Sequence, residues 1–245
     1  VDGDGELEIV PNTPNGPLVV YKLIKDSFGK GAGKFSSHCV YEGKQRHGLG
    51  FGDISGSGRG DFVLNHGWLE SPENTYREKW IFHQEFELFP AGGASIPIIV
   101  ADVNGDGLND IIAGCSHGYG LDWWEQQKDA AGKRTWLRHP IDPYNSQYHD
   151  MVWLDLDGDG KCELVTGKRY RAHCGKDPGA NDGVGIYYFK WNGESFSKQV
   201  IDYGDIREGK GCGIHFAVAD LNKNGRLDIV APGKDGLYVF FNEGA

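Results

Sequence analysis

Acidic residues that alternate with glycine are the clearest chemical feature of the sequence. In the stretch WLDLDGDGKCELVTG, Asp155, Asp157, Asp159 and Glu163 occupy positions 1, 3, 5 and 9 of one turn. Alternate positions can converge on one point only where the backbone curls sharply, and the glycines between them permit that curl. Hard carboxylate oxygens in a flexible loop suit Ca²⁺ better than zinc or copper. The turn therefore predicts a calcium site with a structural role.

The same turn recurs along the chain. Complete copies begin at Asp53, Asp102, Asp155 and Asp220, at intervals of 49 to 65 residues, and a partial copy opens the chain. An EF-hand also begins with alternating acids, but it needs a glutamate at position 12, which none of the complete copies has. In the copy at Asp53, two serines replace acids, so calcium binding is less favoured there. The predicted calcium ligands are Asp2, Asp4, Glu8, Asp102, Asn104, Asp106, Asp110, Asp155, Asp157, Asp159, Glu163, Asp220, Asn222, Asn224 and Asp228.

The repeat carries a resemblance to a known family. The pattern D-x-D-G-D-G-x-x-D, preceded by an apolar strand and followed by DIIAG or ELVTG, resembles the FG-GAP/VCBS family of propeller repeats. The resemblance implies an all-β propeller of four-stranded blades. A repeat of this length with several β-strands per unit indicates the same architecture. We expect residues 1–245 to form a single propeller domain of five repeat units. The first and last units are incomplete, which is the pattern expected of part of a larger propeller.

Composition limits the classes of partner and location. The net charge of −10 argues against non-specific binding to nucleic acid, and no apolar run is long enough to insert into a membrane. The five cysteines are an odd number, so at least one thiol has no partner within the chain. Calcium-binding turns predict an extracellular or periplasmic location, because free Ca²⁺ is abundant outside the cytosol.

A second group of polar residues flanks the strands at the ends away from the acidic turns. About six strand residues precede each acidic turn, a rise of roughly 20 Å at about 3.3 Å per residue. The start of each first strand and the end of each second strand should therefore share the opposite face of the propeller, where we expect one common mouth. The residues placed there are His47, His66, His117, His149, His215 and the run Lys168-Arg169-Tyr170-Arg171-Ala172-His173.

Two roles are open for these histidines. Neutral imidazole could bind a transition metal, or it could transfer protons near neutral pH. The cations Lys168 and Arg169 would suit a carboxylate or phosphate, and Tyr170 could protonate a leaving oxygen. Trp68 and Tyr119 are near strand ends and could stack on a sugar ring.

The combined pattern RHGLGFGD…NHGWLESP…GKRYRAHCGKDPG is similar to the propeller domains of carbohydrate-active carbon–oxygen lyases, namely aldos-2-ulose dehydratases and propeller-type polysaccharide lyases. The resemblance implies β-elimination on a uronate or 2-keto sugar, with proton transfer by His47, His66 or His149 and anion contact by Arg169. The predicted catalytic residues are therefore His47, His66, His149 and Tyr170. The predicted substrate-binding residues are Lys168, Arg169, His173, His117, His215, Trp68 and Tyr119.

A non-catalytic carbohydrate-binding propeller is the alternative to the lyase, and a platform that binds other proteins is a third hypothesis. A lectin should repeat similar pockets in every blade. The unusual residues are instead concentrated in the fourth unit, which favours an enzyme.

Overall fold

Five small antiparallel sheets follow one another along the chain, and each forms one blade of a β-propeller. The structure is a computed structural model that describes residues 1–244, so only the last residue of the predicted domain, Ala245, lies outside it. Among the described residues there is no α-helix, and the single helical element is a 3₁₀ turn at Ala172–Cys174. No helix in this part of the chain has the length and apolar character needed to cross a membrane.

Each blade is an up-and-down meander in which neighbouring strands pair in sequence order. Blade 1 contains β1 (Glu8–Ile9), β2 (Leu18–Lys25) and β3 (Gly31–Tyr41), and blade 2 contains β4 (Leu49–Gly52), β5 (Asp61–Leu64), β6 (Gly67–Glu70) and β7 (Ile81–His83). Blade 3 contains β8 (Ile99–Ala101), β9 (Asp110–Gly114), β10 (Leu121–Lys128) and β11 (Arg134–Pro140). Blade 4 contains β12 (Tyr148–Leu154), β13 (Glu163–Lys168), β14 (Val184–Trp191) and β15 (Phe196–Gly204), and blade 5 contains β16 (Ala217–Ala219), β17 (Asp228–Gly233) and β18 (Gly236–Phe240).

The second strand of a complete blade is the most buried element. Every residue of β5, β9 and β13 is buried, because these strands are covered by neighbouring blades on both faces. Their sequences are accordingly rich in apolar residues instead of alternating with polar ones. The acidic turns join the first and second strands, and Gly158 and Gly160 take the positive φ angles of 79° and 86° that the curl requires.

The hydrophobic core is divided among the interfaces between blades. One cluster of buried side chains joins each consecutive pair, from blades 1 and 2 to blades 4 and 5. Within residues 1–244 no such cluster joins blade 5 to blade 1. The first strands β4, β8 and β12 lie side by side, as expected of strands that surround a central axis.

Candidate functional site

Three histidines from three different turns and strands come together at one end of the first strands. His47 precedes β4, His117 follows β9, and His149 lies at the start of β12. The centroid of the His47 ring lies 4.9 Å from that of His117 and 5.0 Å from that of His149. One ring nitrogen of each histidine lies within 4.8 Å of a ring nitrogen of each of the other two. This spacing suits three imidazoles that share one metal ion.

The register of blade 4 places this group away from the acidic turn. Tyr148, beside His149, pairs with Lys168, whereas Leu154 at the other end of β12 pairs with Glu163 of the turn. The two ends of the blade therefore carry different chemistry, imidazoles at one end and carboxylates at the other.

Hydrogen bonds determine which ring nitrogen remains free. His47 Nδ1 donates to the carbonyl oxygen of Ala94 at 2.7 Å, which leaves Nε2 as an acceptor. His117 Nδ1 lies 2.9 Å from Asp177 Oδ2, with the same consequence. His149 Nδ1 is buried and has no hydrogen-bond partner among the described residues. An orphaned buried nitrogen is costly, so a ligand for it would be stabilising.

Burial keeps two of these imidazoles neutral. It lowers the pKa of His47, and it lowers the pKa of His149 to about 3, with the neighbouring His47 and the Arg169 cation adding to the shift. Neutral imidazole is the form that ligates metals. The close packing of these imidazoles beside a guanidinium therefore disfavours their protonation and favours metal binding.

Asp177 links the histidines to the long loop between β13 and β14. Its two carboxylate oxygens bind His117 Nδ1 at 2.9 Å and His173 Nδ1 at 2.8 Å. The two rings are stacked at 4.8 Å with an interplanar angle of 9°. Burial opposes ionisation of Asp177, but the two histidine hydrogen bonds outweigh it and lower its pKa. Sequence reasoning missed Asp177, although its position four residues after His173 in GKDPG was a usable signal.

The two cations at the start of this loop are placed differently. Arg169 is 8% exposed, and no hydrogen bond or ion pair of its guanidinium occurs within residues 1–244. Lys168 is 1% exposed, and its ammonium donates to Ser146 Oγ at 2.7 Å and to the carbonyl of Gly179. Arg169 is thus available to an anion, whereas Lys168 anchors the loop and does not have the predicted position for substrate contact.

His47, His117, His173 and Asp177 line an open cleft of about 500 Å³. A second cleft of about 400 Å³ is lined by Arg169, Tyr170 and His215. His215 is largely exposed, and its Nδ1 lies 2.7 Å from Asp150 Oδ2. Tyr119 lies at the edge of the loop, where its hydroxyl donates to Asp182 at 2.6 Å.

Two predicted site residues lie away from the histidine cluster. Trp68 is 1% exposed in the core between blades 2 and 3, and its indole Nε1 donates to Glu85. The His66 ring packs against Tyr41 and Phe82 instead of joining the other histidines. The prediction that Trp68 stacks on a sugar is therefore wrong for this conformation, because the indole has no exposed face. His66 is therefore not a member of the histidine cluster, although the preceding Asn65 lines the same cleft as His47.

The acidic turns have the curled form expected from the sequence. Asp155 accepts hydrogen bonds from the backbone N–H groups of Gly158, Asp159 and Gly160, and Asp102 makes the corresponding bonds in its own turn. Glu163 accepts from Leu156, which fixes the other end of the turn. In the turn at Asp220, the same role is shared by Asp220 and Asp228. Calcium binding at these turns stays a prediction.

Comparison with known proteins identifies the repeat. Residues 102–166 match the sequence profile of the FG-GAP-like repeat, a span that includes the turns at Asp102 and Asp155. No curated protein is significantly similar to the chain. Among solved structures, the chain is similar to the pore of the Tc holotoxin from Photorhabdus luminescens, with 16% sequence identity and a TM-score of 0.43. The similarity covers 98% of this chain and only 11% of the toxin chain, and at this score it bears on neither activity nor partners.

Proposed function

The chain is an FG-GAP/VCBS-repeat β-propeller, and we propose that its histidine cluster is the metal-binding active site of a carbohydrate-directed carbon–oxygen lyase. The observation that carries the proposal is the convergence of His47, His117 and His149 within 4.8 Å, beside the guanidinium of Arg169, which has no partner within residues 1–244. Three imidazoles suit a divalent transition metal such as Zn²⁺, which takes three protein ligands and keeps one position open in catalytic sites. A metal bound there would supply Lewis-acid polarisation of a substrate carbonyl or carboxylate oxygen.

Three groups near the cluster, Arg169, His173 and Tyr170, suit β-elimination. Arg169 would hold the carboxylate or keto oxygen of the substrate, because a guanidinium binds such groups in a bidentate manner. His173 has its Nδ1 bound to Asp177, so its Nε2 is able to accept the proton from the carbon next to that group. The electron pair left on this carbon forms the new double bond as the β-oxygen leaves, and the departing oxygen takes up a proton. Tyr170, which lines the second cleft together with Arg169, is the candidate donor of that proton.

An extracellular or periplasmic location belongs to the same proposal. FG-GAP repeats are compatible with such a location, where Ca²⁺ would be available to the acidic turns. A uronate or 2-keto sugar is the substrate class that would suit the Arg169 guanidinium together with the proposed metal in the solvent-open cleft.

The first test combines metal analysis with product formation. Protein stripped with a chelator and then given Zn²⁺ or Mn²⁺ should bind about one equivalent at the cluster. With metal restored, it should release an unsaturated product, detected by ultraviolet absorbance, from a member of a panel of uronic and 2-keto sugars. His149→Ala should abolish tight metal binding and lower turnover by a factor of about 10² or more.

His38→Ala is the matched control, because His38 lies in β3 of blade 1 and stacks on Tyr76. It should leave metal binding and turnover unchanged. Metal binding without any unsaturated product, together with normal sugar binding, would support the carbohydrate-binding alternative. Absence of metal binding in the parent protein would refute the metal-centre proposal.

A further inference from the structure

The residue that faces the last acid of each turn differs from blade to blade. In blade 1, Glu8 pairs with Lys22 across the sheet. In blade 4, Leu164 pairs with Phe189, so Lys190 lies one step further along, opposite Glu163. In blade 2, Phe62 pairs with Leu69, so Glu70 lies opposite Asp61. In blade 3, Ile111 pairs with Trp124, so Glu125 lies opposite Asp110. In blade 5, Ile229 pairs with Phe240, so Phe241 lies opposite Asp228. Of the five turns, two are therefore faced by a lysine, two by a glutamate and one by a phenylalanine.

Both lysines place their ammonium groups among the carboxylates of the turn. Lys190 Nζ binds Asp157 and lies 3.1 Å from Asp159 Oδ2 and 3.7 Å from Glu163 Oε1. In blade 1, Lys22 Nζ lies 2.5 Å from Asp2 Oδ2, binds Asp4, and lies 3.7 Å from Glu8 Oε1. Each ammonium thus contacts three carboxylates of one turn.

The two lysines lie in the turns whose carboxylates are closest together, and in blade 4 Lys190 contacts two members of the compact set, Asp157 and Glu163. Of the acidic turns in the described part of the chain, only those of blades 1 and 4 bring three carboxylates within 4.8 Å of one another. The sets are Asp2, Asp4 and Glu8 in blade 1, and Asp155, Asp157 and Glu163 in blade 4. The two most compact sets are therefore those already neutralised in part by a lysine from the neighbouring strand.

We propose that Lys22 and Lys190 are the resident cations of the turns in blades 1 and 4, so that these two turns are held closed without Ca²⁺. A divalent ion can enter either turn only by displacing an ammonium that forms several charge-assisted contacts. In blade 3, Glu125 takes the place of the lysine and Asn104 donates to it, so the facing residue adds negative charge. Because ligand charge tunes calcium affinity, the turn at Asp102 should bind Ca²⁺ more tightly than the turn at Asp155, although the latter has more acids of its own.

Calorimetric titration of chelator-stripped protein with Ca²⁺ tests this proposal. Lys190→Gln removes the ammonium and keeps a polar side chain of similar reach. It should add one calcium per chain, or strengthen binding at the Asp155 turn by about tenfold. Lys22→Gln should do the same at the first turn, and it provides the test in a separate blade if Lys190→Gln does not fold.

Lys161→Gln is the matched control. Lys161 belongs to the same turn and is exposed, and no carboxylate lies within 4 Å of its ammonium among the described residues. It changes the formal charge by the same amount and should leave the titration unchanged. An equal gain in calcium affinity from Lys190→Gln and Lys161→Gln would show that the effect comes from net charge alone and would contradict the proposal. Identical calcium titrations of Lys190→Gln and the parent protein would overturn it as well.

Discussion

At the scale of single residues, the histidine cluster depends on a carboxylate that the sequence did not single out. Asp177 accepts hydrogen bonds from Nδ1 of both His117 and His173. A carboxylate in this position fixes the tautomer of an imidazole and increases the basicity of the other nitrogen. Asp177 is therefore a positioning residue for His117 within the proposed metal centre.

Asp177→Asn tests this role. The amide keeps the size of the side chain but removes its charge, so we expect metal affinity to fall by a factor of about 10–100 while the melting temperature changes little. The measurement is a competition titration with a chromophoric chelator. Asp182→Asn, on the same loop but bound to Tyr119, should leave metal affinity unchanged. Equal metal affinity in Asp177→Asn and the parent protein would contradict the positioning role.

The buried thiols provide a second residue-scale prediction. Burial raises the pKa of Cys115 from 9.0 to about 11. The unfolded thiol ionises above pH 9.0 whereas the folded one does not, so the contribution of Cys115 to the free energy of unfolding is lost progressively between pH 9.0 and about 11. One such group contributes a slope of up to about 1.4 kcal/mol per pH unit.

Urea denaturation at several pH values measures this slope. Cys115→Ala should flatten the alkaline decline in stability, whereas Cys39→Ala should not, because Cys39 is exposed. In native protein at pH 8, iodoacetamide should label Cys39 and Cys174 and spare Cys115 and Cys212. Rapid labelling of Cys115 would show that its site opens to solvent.

At the scale of elements, the loop between β13 and β14 is held by contacts with the segment before β12. Lys168 binds Ser146 and Gly179, and the side-chain amide of Gln147 donates to the carbonyl of Pro178 at 2.9 Å. These contacts position His173 and Asp177 beside His117. The loop is therefore an ordered part of the candidate site and depends on an amine that the solvent does not reach.

Lys168→Met should release this loop. The substitution keeps the aliphatic stem but removes the ammonium that donates to the Gly179 carbonyl and to Ser146 Oγ. Only the 3.1 Å hydrogen bond from Ser146 Oγ to the Gly179 carbonyl then remains at this contact, and the loss costs about 1–3 kcal/mol. We expect faster trypsin cleavage after Arg171 or Lys176, followed by mass spectrometry. Lys176→Met is the control for the lost positive charge, since Lys176 is exposed on the same loop. Unchanged cleavage after Arg171 in Lys168→Met would contradict the anchoring role.

The sequence predicted those features of the elements that follow from periodicity. The spacing of strands and acidic turns placed His47, His117 and His149 at the same end of the blades, because strand length fixes the height of a residue. It could not fix the direction of a side chain, so His66 was grouped with the other histidines and Trp68 of β6 was given an exposed indole face. Lys22 and Lys190 were missed for a related reason, since their roles depend on the strand register that brings each of them opposite an acid more than ten positions earlier in the sequence.

At the scale of the whole molecule, stability is distributed over interfaces between neighbouring blades. Each hydrophobic cluster joins two consecutive blades, and the described residues contain none that joins blade 5 to blade 1. In such an arrangement, stability is approximately a sum of terms for single repeats and nearest-neighbour interfaces, as in repeat proteins. Local opening should therefore differ between the ends of the series and its middle.

Two matched core substitutions test this expectation. Ile229→Ala acts at the interface of blades 4 and 5, and Ile98→Ala acts at the interface of blades 2 and 3. Both side chains are buried, and each truncation should cost about 2–5 kcal/mol. Hydrogen exchange should show lost protection confined to blade 5 and its contacts for Ile229→Ala, because among the described residues only the cluster shared with blade 4 holds that blade. Ile98→Ala should weaken protection on both sides of the middle interface, and the exposed Ile24→Ala should change neither pattern. Uniform loss of protection over all five blades in Ile229→Ala would show instead that the propeller unfolds as one cooperative unit.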